Sequence, residues 1–202
     1  MSLPYKSLLF SVIFLFVFAQ NKLLAQVEKE TKTEKSAEIF TAKNSIYGEL
    51  GGTSYGYAIN YGFIFHQKER LKYSASAGFS MRYQKFFEPI ISGFLIPSFS
   101  TEITALWGKS KGHLEFGAGF VAYRNKEFIF DQGIPFPDNI REEPYWGKII
   151  VPRIGYRFQK PEGGLFFRAA YTPWIVFENF EVAEYKVDFQ PFGIGLSLGW
   201  SF

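Results

Sequence analysis

Phe192-Gly193-Ile194-Gly195-Leu196-Ser197-Leu198-Gly199-Trp200-Ser201-Phe202 is the stretch on which the fold turns. Large apolar residues hold every even position, and only Gly or Ser lies between them. Period two is the mark of a strand, and the two faces of this one are chemically opposite. The strand runs to the final residue and ends on an aromatic ring. In a closed barrel within a bilayer, such a last strand pairs along both edges and turns its apolar side to lipid.

Seven upstream segments alternate in the same way: 45–52, 55–65, 71–82, 97–107, 113–123, about 148–159 and 165 to about 174. The third is the cleanest. Leu71, Tyr73, Ala75, Ala77, Phe79 and Met81 interleave with Lys72, Ser74, Ser76, Gly78, Ser80 and Arg82. Eight strands of this length suit a tilted crossing of the hydrocarbon. The expected fold is all-β, an eight-stranded antiparallel transmembrane β-barrel over residues 45–202. Connections after strands two, four and six are short and carry Gly, Pro, Lys and Glu, as turns do. Those after strands three, five and seven (83–96, 124–147 and 175–190) are long, and only the first hairpin, at 52–54, is tight on that side. Short turns on one side and long loops on the other place the loops outside the cell and both chain ends in the periplasm.

Composition agrees. Aromatics make up 20% of the chain while mean hydropathy stays near neutral, at −0.04. A net charge of +3 without a basic stripe argues against a nucleic-acid partner. The absence of Cys removes disulfides, thiolate metal sites and an N-terminal lipid anchor. Residues 1–25 read as a signal peptide: Lys6 is the positive start, an apolar core of about a dozen residues follows, and cleavage falls after Ala19 or Ala25. An uncleaved anchor helix is the alternative. Residues 26–44, rich in Lys, Glu and Thr, read as a disordered or loosely helical periplasmic tether.

A lipocalin-type soluble barrel also has eight strands, but its outer face should be polar. The last strand would then show bare Gly and Ser to water. Lipid outside also accounts for aromatics near strand ends, Tyr55, Tyr73, Trp107 and Trp200, as interface girdles.

Several stretches carry a resemblance: Asn44-Ser45-Ile46-Tyr47-Gly48-Glu49-Leu50-Gly51-Gly52, Tyr57-Ala58-Ile59-Asn60-Tyr61, His113-Leu114-Glu115-Phe116-Gly117-Ala118-Gly119, Arg153-Ile154-Gly155-Tyr156-Arg157, Gly163-Gly164-Leu165-Phe166-Phe167-Arg168 and Gly199-Trp200-Ser201-Phe202. With them the chain resembles the small eight-stranded outer-membrane barrels of the OmpA/OmpX type, and more closely a group of barrels from Bacteroidota-like bacteria. The resemblance spans the whole barrel. It implies the fold, the outer-membrane lipid as surroundings, and the barrel-assembly machinery as a partner that reads Trp200 and Phe202. It transfers no catalytic residue.

With the apolar phase outward, the inward phase collects Glu49, Glu102, Glu115, Arg82, Arg153, Arg157 and Arg168. All but Arg82 fall in the periplasmic half. An eight-stranded barrel is just wide enough for side chains to fill it, so these charges should pair into an interior network. Arg157 and Arg168 are expected opposite each other, which demands an acid between or beside them, and Glu115, one strand over from Arg157, is the best candidate. Such a cluster is a polar filling or, alternatively, an ion path or switch.

No GxSxG or HExxH occurs, and His66 and His113 both fall at periplasmic turns, where solvation is their expected role. No cofactor and no enzymatic activity are expected. In the outer loops Phe128, Phe130, Phe136, Tyr145 and Trp146 form a possible binding surface for an extracellular ligand, or a lid over the mouth. The functional expectation is a structural or ligand-binding surface barrel; a narrow channel or sensing barrel using the Glu/Arg cluster is the alternative.

Overall fold

Alternation in the sequence becomes ladder pairing in the computed structural model, which describes residues 36–54, 56–85, 93–133, 138, 140–178 and 186–202. The expected signal peptide, the first part of the tether, Tyr55 and Phe136 lie outside the described residues. The strands are β1 (Asn44–Gly51), β2 (Tyr57–Lys68), β3 (Leu71–Lys85), β4 (Gly93–Trp107), β5 (Gly112–Phe130), β6 (Ile140–Gln159), β7 (Gly164–Tyr171), β8 (Trp174–Glu178), β9 (Lys186–Gln190) and β10 (Ile194–Ser201). Every pairing is antiparallel. The final strand β10 pairs with β1 on one side and β7 on the other, and β5 pairs with β6, so β1–β7 and β10 close an eight-stranded ring.

The register shows how the ring is tilted. A line drawn across the strands from Ser45 passes Gly62, Ser76, Glu102, Gly119 and Val151, and regains β1 roughly ten residues farther along, the stagger that a closed eight-stranded barrel requires.

Outward positions are apolar and exposed. Ile46, Leu50, Ile59, Phe79, Phe99, Ile103, Phe116, Ile154, Leu196 and Leu198 all face away from the lumen. On β6 the outward row is apolar from Ile150 to Tyr156, with the exposed Lys148 and then Trp146 above it. Tyr73, Trp107 and Trp200 are exposed at the short-turn rim, as an interface girdle requires. The barrel is therefore transmembrane, with lipid as the solvent of its outer wall.

Two of the connections expected to be long loops are largely strand. β5 continues to Phe130 and β6 begins at Ile140, so 124–130 and 140–147 pair as the two arms of a projecting β-hairpin. Likewise β8 and β9 pair with each other across much of 175–190. Their residues, such as Phe128-Ile129-Phe130 and Ile175-Val176-Phe177, favour extended backbone. β8 pairs with β6 in the register that β7 uses lower down; between the two ladders Pro152 and Pro173 face each other, neither with an N–H to give.

The first hairpin also departs from expectation. Its turn does not project but folds into the barrel as a single 3-10 turn, Gly52–Ser54, with all three residues buried. Gly51 and Gly52 both have positive φ (67° and 59°), which permits the reversal.

Candidate functional site

The lumen is filled in layers, each built from the inward phase of several strands. At the short-turn end residues 37–43 form a strap with no regular secondary structure, running across the mouth. Its hydrogen bonds reach all three short turns. Gln67 Oε1 accepts from the Phe40 N–H (3.0 Å), Lys109 O from the Glu38 N–H (2.8 Å), and Pro161 O from the Thr41 and Ala42 N–H groups (3.0 and 2.9 Å). Phe40 is fully buried and packs with Ile64 and Leu106.

Next come the charges. The Arg153 guanidinium touches all three interior carboxylates: Nη2 pairs with Glu49 Oε1, Nε lies 3.0 Å from Glu102 Oε2, and Nη1 lies 3.4 Å from Glu115 Oε1. Arg168 Nη2 lies 2.5 Å from Glu102 Oε1 and 2.8 Å from Glu115 Oε1, and its Nη1 donates to the Tyr47 hydroxyl at 2.7 Å. These side chains are buried, and each carboxylate touches at least one guanidinium, as burial of charge demands. Room for the long side chains comes from the small inner face of β10. A Cβ on Gly195 would stand 3.0 Å from Arg153 Nη2.

The inward-folded first turn sits on this layer. The Thr53 hydroxyl lies 3.2 Å from Glu49 Oε2 and 3.5 Å from Glu102 Oε2, and the Thr53 N–H donates to Glu49 Oε1 at 3.4 Å. From above, Trp174 Nε1 donates to Gly52 O at 2.9 Å. Over it lies an apolar cluster of Ile96, Val121, Tyr123, Ile149, Val151 and Val176, with Phe94, Tyr145 and Trp174 packed against it.

The structure thus brings Glu49, Glu102, Glu115, Arg153 and Arg168 into contact. Arg157 does lie opposite Arg168, but its expected pairing with Glu115 is not made. Among the described residues Arg157 pairs with no carboxylate. Its Nη1 donates to Ser74 Oγ (3.0 Å), its Nε and Nη2 to Gln159 Oε1 (3.0 and 2.5 Å), and its guanidinium stacks 4.8 Å from the Phe166 ring centroid. Glu115 instead meets Arg153, its other diagonal neighbour on β6, and Arg168 of β7. Arg82 is half-buried on β3 toward the long-hairpin end, apart from the network. His66 is exposed, but His113 is not solvated: it is buried beneath Phe40.

The proposed loop surface divides. Trp146 and Tyr145 are adjacent strand residues, so they point to opposite faces. Trp146 is exposed, whereas Tyr145 is turned in and accepts from Asn125 Nδ2 at 2.9 Å. Phe128 packs on Phe94, and Phe130 is exposed beside the hairpin tip. Trp200 is exposed on the outer face, and Phe202 exchanges backbone hydrogen bonds with Asn44.

Sequence reading passed over Phe40, Tyr47, Thr53, Gln159 and the apolar cluster. For the cluster a signal was present: at Ile149-Ile150-Val151 the inward positions are apolar like the outward one, whereas farther along β6 the inward phase is Arg153, Arg157 and Gln159. For Phe40, one ring in a polar segment, there was none.

Chemically, the arrangement is a set of ion-paired carboxylates sealed between apolar layers. Among the described residues, no group of three or more His, Asp or Glu could hold a metal ion.

No protein-family model matches this sequence, and no curated protein matches it. Among solved structures, the chain is similar to the N-terminal β-barrel domain of Pseudomonas aeruginosa OprF, with a TM-score of 0.42 and 11% sequence identity over 79% of this chain and 96% of that one.

Proposed function

We propose that this protein is a non-catalytic barrel of the bacterial outer membrane, with a closed lumen, that acts through the hairpins at its long end. The observation that carries this reading is the filling of the lumen: Phe40 at the floor, the Arg153–Arg168 network above it, the Gly52–Ser54 turn on the network, and the apolar cluster at the top. Water-filled passages line themselves with polar groups left free to hydrate ions. Here the charged groups of the Arg153–Arg168 network are spent on each other. The surroundings are outer-membrane lipid, and Trp200 and Phe202 are the signal read by the barrel-assembly machinery. The hairpins β5–β6 and β8–β9 are the parts that meet an extracellular ligand.

Purified barrel in planar bilayers tests this. Little or no conductance is expected, with or without truncation of the β5–β6 hairpin. A sustained, ion-selective conductance that responds to Glu115→Gln would replace this reading with the narrow channel or sensing barrel built on the Glu/Arg cluster.

A further inference from the structure

The short-turn end of the lumen holds polar groups that the charge network does not use. Lys72, His113 and Arg157 all turn inward there, and all are buried. His113 and Arg157 are direct ladder partners on β5 and β6. The Phe40 ring lies among them, its centroid 5.2 Å from that of His113 and 4.8 Å from Lys72 Nζ. Lys72 gives one of its protons to Gly108 O at 3.0 Å. Neither ring nitrogen of His113 makes a well-formed hydrogen bond, the Arg157 backbone being its one polar neighbour within weak reach, although the residue is only 1% exposed. A buried polar ring with no well-formed hydrogen bond is the kind of exception that asks for a missing partner.

The acids nearby are committed elsewhere. Glu115, on the same face of β5, is held by Arg153 and Arg168. Glu38 belongs to the strap, where its carboxylate accepts from Ser110 Oγ at 2.9 Å. Phe40 and Glu38 therefore leave together if the strap lifts. What they uncover is a floor with two cations and an imidazole, whose nearest remaining carboxylate, Glu115, is ion-paired with Arg153 and Arg168. An aromatic face satisfies a cation only in part; a tetrahedral oxyanion would accept from all three groups.

The geometry points to an anion-binding pocket at the short-turn end of the lumen, formed by Lys72, His113 and Arg157 and stoppered by Phe40 of the N-terminal strap. The ligand class is a small oxyanion such as phosphate. The strap is then a competitor for the site: its backbone bonds to Gln67, Lys109 and Pro161 hold the ring in place until something draws the segment away.

The test uses the full folded chain in detergent and inorganic phosphate as the probe. Phe40→Gly empties the pocket while keeping the strap's backbone bonds. Titration calorimetry should show phosphate binding to Phe40→Gly and none to the unmodified protein. Phosphate should also shift the His113 ring nitrogen resonances in the variant alone. Adding Lys72→Met should weaken binding by about tenfold or more. Heat-modifiable migration confirms folding, and Phe40→Ser replaces Phe40→Gly if the latter does not fold. A folded variant that ignores phosphate overturns the proposal, as does binding that is equal in the unmodified protein or indifferent to Lys72→Met. Conductance of the unmodified barrel bears on the closed lumen alone, so the two readings fail separately.

Discussion

Strands β5 and β6 pass through two environments and turn different side chains inward in each. Toward the short turns they present Glu115, Arg153, Arg157 and Gln159 to the lumen, and Leu114, Phe116, Ile154 and Tyr156 to the outside. Toward their shared hairpin they present Val121, Tyr123 and Ile149 inward, while Arg124, Arg141, Glu142 and Lys148 are exposed. The surroundings explain the inversion. In lipid, moving an apolar side chain from the wall into the lumen gains nothing, because the hydrocarbon outside is equally apolar. Stabilisation must then come from directed contacts, and ion pairs and hydrogen bonds are strong where water is absent. Where the strands emerge, water is outside again, and burying Val, Ile and Tyr regains its ordinary value of roughly 25 cal/mol per Å².

Four substitutions break or sharpen that contrast. The largest effect is expected at Arg153, which touches all three carboxylates. Arg153→Met leaves Glu49 without its guanidinium and should cost about 3–5 kcal/mol of barrel stability. Adding Glu49→Gln should restore part of this, and a double-mutant cycle by urea unfolding in lipid measures the coupling. Zero coupling would mean that the lower lumen is hydrated rather than cross-linked.

Next is Ala77→Arg, on the exposed face of β3 within the apolar belt. A cation there faces hydrocarbon and should destabilise by roughly 2–4 kcal/mol, read by the same unfolding assay. If it is tolerated without loss, the belt is not in lipid.

A smaller loss belongs to the upper cluster. Ile149→Val removes one buried methylene and should cost about 1 kcal/mol. An effect near zero would show that the upper interior is loose and that packing there does not contribute. The smallest change is expected at Lys148, the exposed neighbour of Ile149. Lys148→Leu should shift stability by no more than about 0.5 kcal/mol. A large stabilisation would place the membrane boundary above Lys148 and move the inversion upward.

These contrasts also show what could be read in the sequence. The barrel, its strand count and the two faces were legible because lipid enforces alternation along β10 and along β3 from Leu71 to Tyr83. The inward set was legible for the same reason. Its pairing was not. Alternation tells which residues share the lumen, and the ladder tells which are adjacent, but the stagger sets which ones meet across it. Arg153 and Arg157 flank Gly155, the ladder partner of Glu115, and are equally diagonal to it, yet Glu115 pairs with Arg153 and with Arg168 one strand farther on, while Arg157 turns to Gln159 and Ser74. The Gly52–Ser54 turn was read as an ordinary tight hairpin because two glycines license either direction of reversal. Whether the turn goes out or in depends on Thr53 finding Glu49 and Glu102, a contact between residues 49 positions apart in the second case. The projecting hairpins were read as loops because, outside the membrane, nothing imposes a strict period.

The facing prolines have a mechanical consequence. Between the β6–β7 and β6–β8 ladders, Pro152 opposes Pro173 with no N–H on either side. One strand over, the chain passes through Pro191-Phe192-Gly193 before β10 begins, and the register slips by one residue between the β8–β9 and β7–β10 ladders. The two interruptions lie side by side and make a line of weakness across the wall at the level where its faces invert. A pull on the β8–β9 hairpin, or its replacement by foreign sequence, would be absorbed along that crease. The seam that keeps the membrane sealed, from Gly195 to Ser201 against β1 and β7, would not feel it. The molecule is in this sense a fixed socket carrying an interchangeable head.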